Sequence, residues 1–202
     1  MTVLSSAAVA TAGGADVGVI HGLSPAWRQA VAIGPAFTVS GRSGDNLALH
    51  RALREAAAGS VIVATLDGTV AAGHWGELMA VSAGAQGIVG LVIGGTVRDI
   101  VQLEERRFPV FHRGLGPRPA TKDVEGTLGE EIVLDGVTVS PGDLVVADAD
   151  GVAVVPRALL PTIEAEVATL HRREEAALRL VAGGTPILEA LGVEPAPGRS
   201  AP

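Results

Sequence analysis

The chain has no cysteine and no tyrosine, and only two tryptophans and three phenylalanines among its 202 residues. Without cysteine there can be no disulfide, thiolate metal site or cysteine nucleophile. Carboxylates and histidines are then the side chains left to bind a metal, and any such metal is a hard one. The scarcity of aromatic rings removes the platforms on which single-stranded nucleic acid stacks. Charge points the same way. The formal net charge is −7, and Arg172 and Arg173 are followed at once by Glu174 and Glu175, so no basic stripe offsets the repulsion of phosphates. Nucleic acid is therefore not an expected partner. Long apolar runs are also missing: the first twenty residues lack a basic start, and no segment reaches about eighteen residues without glycine or charge. Neither a membrane span nor an export signal is expected, and a cytoplasmic location is.

What is present is a chain that is 48% apolar and 18% charged, rich in Ala, Val, Leu and Ile, which suits a compact body with many buried strands. We expect one domain over residues 1–192 and a loose, proline-containing tail over 193–202. Residues 1–14 read equally as a short helix or an arm. Strands are expected at 32–40, 61–66, 88–93 and 109–111, the third closed by Gly94 and Gly95. Helices are expected at about 46–58, with Asp45 as a cap, from near Gly76 to before Gly87, and at 98–107. This alternation argues for an α/β core with parallel strands. In the second half, short strands at 131–134, 137–139, 144–147 and 152–155, separated by Asp-Gly and Pro-Gly turns, predict antiparallel hairpins packed on the first sheet. A helix at 159–181 follows.

Gly76-Glu77-Leu78-Met79 and Gly94-Gly95-Thr96-Val97-Arg98-Asp99 each put polar groups where a buried segment hands over to a helix. Helix N-termini at strand ends bind anions, because unpaired N–H groups and the helix dipole meet there. The two glycines before Arg98 are expected to let a small ligand touch the backbone. Arg98 offers a planar donor fork for a carboxylate. Asp99 offers hard oxygens for Mg²⁺ or Mn²⁺, cations that keep several waters and take one or two carboxylates, and Glu77 can hold one of those waters. On spacing alone, an Arg-Asp pair after two glycines is more often a surface ion pair or a helix cap. Among other groups, His74 and Trp75 read as packed more readily than as pocket walls, and His112 as either a substrate contact or a structural histidine. His21, His50 and His171 read as structural, Asp148 and Asp150 as a turn, and Lys122 and Asp123 as a polar loop within possible reach of a substrate.

The order acid, twenty residues, Arg, Asp, from Glu77 to Arg98 and Asp99, resembles the signature of the 4-hydroxy-4-methyl-2-oxoglutarate aldolase family. These are pyruvate aldolases that share a fold with the regulator of ribonuclease activity A. Further landmarks are similar: Gly34 to Val39, Gly44-Asp45-Asn46-Leu47, Phe108 to Phe111, Pro141 to Val146, and Asp148 to Val152. The resemblance covers roughly residues 20–180. It implies a layered α/β/β sandwich of the swivelling phosphohistidine-domain-like type. It also implies a metal-dependent lyase that cleaves 4-hydroxy-2-oxo acids to pyruvate and decarboxylates oxaloacetate. Asp99 would ligate the metal, Arg98 would bind substrate and steady the enolate, and Glu77, where the family usually has Asp, would hold a metal-bound water. The N–H groups of Leu78 and Met79, following Gly76, would receive the pyruvyl carboxylate. The signature often continues with an acid three residues after the Asp, where this chain has Gln102. The resemblance further implies trimers or hexamers, with an acid from a neighbouring subunit near the metal, for which Glu174 or Glu175 is a counterpart. Two rivals stand beside this reading. One is a protein-binding regulator of ribonuclease activity, a relative that lacks the Asp of the pair. The other is a methyltransferase acting on a menaquinone precursor, for which the chain shows no glycine-rich nucleotide loop with a following acid.

Overall fold

A computed structural model of the chain describes residues 4–193, so the expected tail lies outside the described residues except for Val193. In chain order the elements are α1 (Ser6–Gly13), β1 (Gly18–Ile20), β2 (Ser24–Pro25), β3 (Ala32–Arg42), α2 (Leu47–Glu55) and β4 (Val61–Asp67). Next come α3 (Glu77–Ala85), β5 (Gly90–Val97), α4 (Ile100–Glu105), β6 (Val110–Leu115), β7 (Thr127–Leu128), β8 (Ile132–Leu134) and β9 (Val137–Val139). The chain continues through β10 (Leu144–Asp148), β11 (Gly151–Val155), α5 (Leu160–Ala182) and α6 (Ile187–Ala190).

The alternation of strand and helix does produce a parallel run, β3-β4-β5-β6. The long strand β3 joins two regimes: Ala32 to Pro35 pair antiparallel with β10, and Ala36 to Arg42 pair parallel with β4. The full order is β1-β11-β10-β3-β4-β5-β6-β2, with β7 on β3, and β8-β9 forms a separate two-stranded sheet. Helices α2, α3 and α4 cover one face of the parallel strands, where Leu49, Leu53, Ile62, Trp75, Ile93 and Leu103 pack together. Val61, Val63 and Val92 on the other face meet Ile132, Leu134 and Val139 of the small hairpin and the inner side of β10-β11. Helices α1 and α5 close the far side of β10-β11 on Val146, Ala153 and Val155.

Two expectations need refinement. Both second-half hairpins pack against the first sheet, but β10-β11 is at the same time joined to it by hydrogen bonds through β3, and only β8-β9 forms a separate sheet. Both alternating sets of β10-β11 side chains are apolar and buried, which marks interior strands covered on two faces. Second, β5 does not stop at Gly94 and Gly95 but runs through them to Val97. A Cβ at Gly94 would strike Leu134, and one at Gly95 would strike Leu66, so these glycines make room for packing and not for a ligand. Residues 6–13 resolve as helix, capped by Ser5 and tied by the Ser6 N–H and hydroxyl to Asp148 at 2.8 and 2.6 Å. Strands β1, β2 and β7 are two or three residues long, too short to show an alternation in sequence.

Candidate active site

The site forms where β5 ends beside the start of α3. The Arg98 N–H donates to the Trp75 carbonyl at 2.9 Å, which docks the end of β5 against the segment leading into α3. Asp99 then adopts a left-handed backbone (φ 58°, ψ 42°), a conformation aspartate tolerates better than most residues, and this turns its carboxylate back across that segment. Asp99 Oδ2 accepts the Glu77 N–H at 3.1 Å and lies 3.6 Å from Arg98 Nε. Asp99 therefore caps a helix other than its own, so both bland readings of the pair, cap and ion pair, describe part of what it does.

The close approach needs glycine. A Cβ at Gly76 would collide with the Asp99 carboxylate, and one at Gly73 with the aliphatic stem of Arg98. The glycines that admit the Arg-Asp pair thus come before α3. In α3 the Ala80 N–H bonds the Gly76 carbonyl at 3.1 Å, so the N–H groups of Leu78 and Met79 precede the first closed turn and have no acceptor within the helix.

All six residues singled out from the sequence, Gly76, Glu77, Leu78, Met79, Arg98 and Asp99, line one cleft of about 220 Å³. Asn46, His50, Gly73 and Lys122 complete its wall. Asn46 and Gly73 were not anticipated, although Asn46 sits in one of the recognised landmarks, and His50 proves to be a wall residue. Burial first, and then the charge of Lys122, hold His50 below its ordinary titration range. Asn46 is anchored through Nδ2 to the His74 carbonyl at 3.0 Å, and its buried Oδ1 has no partner among the described residues. Lys122 is brought to the cleft by Asp45, whose Oδ2 accepts from Thr121 Oγ1 and the Asp123 N–H, each at 2.6 Å. Burial opposes the Asp45 charge, but these bonds, with another from the Leu47 N–H, outweigh it and leave its carboxyl below the usual range.

Glu77 differs from expectation in where its side chain goes. Its Oε1 is held by Arg106 through Nε at 3.0 Å and Nη2 at 2.7 Å. Leu78 is 83% exposed at the mouth of the cleft, while Met79 is buried.

Trp75, His112, Asp148 and His74 do not line this cleft. Trp75 is fully buried and stacks on Phe108 with ring centroids 5.8 Å apart, and His112 is buried in β6 away from the cleft. Asp148 accepts from the Asp150 N–H at 3.0 Å in the β10-β11 turn, as expected. His74 is fully buried, with Nδ1–H donating to the Thr96 carbonyl at 2.9 Å and Nε2 accepting the Gly44 N–H at 2.8 Å. Protonating Nε2 would set two donors against each other, and burial already holds His74 below its ordinary value of 6.5. A base whose pKa is lowered on folding binds more protons in the unfolded chain, so stability is present above about pH 6.5 and is lost as pH falls. We expect the unfolding free energy to drop as pH falls below about 6.5. His74→Gln should flatten that slope, by up to about 1.4 kcal/mol per pH unit for one proton. Identical slopes for parent and variant in denaturant titrations would count against this.

Fold and cleft together define a layered, mixed α/β protein in which a helix N-terminus and a carboxylate meet at one cleft. The family model described as RraA-like, Aldolase/RraA, matches residues 6–154, and the chain belongs to this family. A Halalkalibacterium halodurans protein with the provisional name 4-hydroxy-4-methyl-2-oxoglutarate aldolase is 41% identical over 125 residues, covering 62% of this chain and 60% of that protein. The chain spans 60% or less of the length of the curated relatives it matches. A crystal structure of an uncharacterised Pseudomonas syringae protein superposes with a TM-score of 0.84 at 30% identity, covering 93% of this chain and 88% of that one. The Streptomyces coelicolor protein RraAS2, described as an unusual member of the RNase ES inhibitor RraA family, gives a TM-score of 0.76 at 26% identity, covering 87% and 91%. No helix among the described residues is long and apolar enough to cross a membrane.

Proposed function

We propose that the chain is a divalent-metal-dependent lyase that releases pyruvate from 4-hydroxy-2-oxo acids and decarboxylates oxaloacetate at the same site. The observation that carries this reading is the meeting of the α3 N-terminus, the Arg98 guanidinium and the Asp99 carboxylate in one small cleft. The pyruvyl carboxylate takes the Leu78 and Met79 N–H groups, where the helix dipole favours an anion. The Arg98 fork lies beside the keto oxygen and stabilises the negative charge that builds there as the bond between the third and fourth carbons breaks. Glu77 steadies a water that takes the proton of the fourth-carbon hydroxyl. Loss of carbon dioxide from oxaloacetate leaves the same enolate, so the same residues serve both reactions.

The donor set suits Mg²⁺ or Mn²⁺. Asp99 has one oxygen engaged by the Glu77 N–H, no thiolate is available, and no group of three potential ligand side chains gathers among the described residues. A hard cation that keeps most of its waters needs no more than such a carboxylate. Bound there, the metal would supply Lewis-acid polarisation of the keto group.

The reading includes assembly as a trimer or hexamer. In support, Leu178 and Val181 of α5, Ile187 of α6 and Leu191 just after it form an exposed apolar groove that also includes Glu174. Glu175 is engaged by Arg179 at 2.8 Å, which makes Glu174 the better candidate to reach a neighbour's site. A monomer mass by light scattering would remove this part of the proposal. The central test is pyruvate release from a panel of 4-hydroxy-2-oxo acids and from oxaloacetate, with Mg²⁺ and after chelation. We expect turnover that chelation abolishes and Mg²⁺ restores. No turnover on any member would favour the regulator reading, which the name of the Streptomyces relative supports.

A further inference from the structure

We propose that Arg106 is a positioning residue that holds the Glu77 carboxylate in place for the reaction; this role rests on the lyase reading above. Glu77 opens α3, and its backbone is fixed by the Asp99 carboxylate at 3.1 Å. Its side chain has three rotatable torsions, and without a partner it would lose alignment among several rotamers. Arg106 removes that freedom by directing Nε and Nη2 onto Oε1, which leaves Oε2 outside the pairing.

The clamp comes from the segment that also carries Asp99. The Leu103 N–H donates to the Asp99 carbonyl at 2.9 Å and the Arg106 N–H to the Gln102 carbonyl at 2.8 Å, so α4 sets Arg106 at a fixed distance from Asp99. One short helix therefore grips Glu77 twice, at its amide through Asp99 and at its carboxylate through Arg106. The adjacent Arg107 is turned away, its guanidinium 5.3 Å from the Trp27 ring centroid. Gln102 lies four residues before Arg106, within reach on a helix, and being neutral it does not compete for the guanidinium. The pair is not placed for stability: the side chains of Arg106 and Glu77 are 56% and 32% exposed, and ion pairs so open to water add little to folding.

The test is steady-state pyruvate release from a 4-hydroxy-2-oxo diacid with Mg²⁺, for the parent, Arg106→Ala, Arg106→Gln and Arg106→Lys. We expect Arg106→Ala to lower kcat roughly tenfold with KM within about twofold, as for an alignment lost only in the transition state. Arg106→Lys, which keeps the charge with fewer donors, should fall between Ala and parent. Arg106→Gln, which keeps the length of the side chain without its charge, should lower kcat as Ala does, and so serves even where Arg106→Ala does not fold. A crystal structure of Arg106→Ala or Arg106→Gln should show the Glu77 carboxylate displaced. Parent-like kcat in both of these variants, or a Glu77 carboxylate unmoved in the variant crystal, overturns the role and leaves the lyase reading standing. A parent without metal-dependent turnover overturns both.

Discussion

Asp99→Asn should abolish metal-dependent pyruvate release, by roughly 10³-fold or more, while leaving the unfolding midpoint close to that of the parent. Loss of the carboxylate charge proposed to hold the cation removes a Lewis-acid contribution of several kcal/mol to the transition state. The structural duties of Asp99 survive the change. Asparagine tolerates the left-handed backbone at φ 58°, and its amide oxygen still accepts the Glu77 N–H. Asp99→Ala is the less informative substitution, because it removes the cap and strains the turn together, for a destabilisation of about 1–2 kcal/mol. Chelator-controlled assays paired with calorimetric titration of Mn²⁺ separate the two duties. An Asp99→Asn protein that keeps parental turnover, or parental Mn²⁺ affinity, would remove Asp99 from the metal site.

Arg98→Lys should lower kcat by about 10²-fold, and Arg98→Ala by more, because a donor fork aimed at developing negative charge is worth several kcal/mol in a sheltered site. Lysine keeps the charge but not the planar pair of donors, so it is not a conservative replacement here. The two variants also differ in stability. The Arg98 stem fills the space left by Gly73 and Gly76, so the alanine variant leaves a void that lysine largely fills. We therefore expect the unfolding midpoint to fall for Arg98→Ala and to hold for Arg98→Lys. Equal turnover in Arg98→Lys and parent would show that charge alone suffices and would withdraw the role of the fork.

That Glu77, Arg98 and Asp99 line one cleft was legible before any coordinates, but through the resemblance of the acid, twenty residues, Arg, Asp order to a known family; on spacing alone the pair read as a cap or a surface ion pair. The glycines misled. Gly94 and Gly95 adjoin Arg98 in sequence, yet they serve packing within β5, whereas Gly73 and Gly76, more than twenty residues away, are where the Arg-Asp pair needs space. His50 and Lys122 lie in cleft walls far apart in the chain, and the bonds of Asp45 to Thr121 and Asp123, with backbone bonds between Gly44, Asn46 and Thr121, bring the Lys122 loop across. The partner of Glu77 was likewise hidden, since nothing local to Glu77 indicates that Arg106 will reach it.

Periodicity alone thus determined the α/β alternation, which depends on neighbours within a turn or a strand, whereas the residues at the centre of the cleft were named by the family resemblance that their order in the chain carries. The tertiary structure decided which backbone donors remain free, which glycines admit the pair, that β10-β11 joins the main sheet, and that Glu77 turns toward Arg106. Those features depend on distances between segments remote in sequence, which are set by how buried faces pack, and no local pattern of residues encodes them.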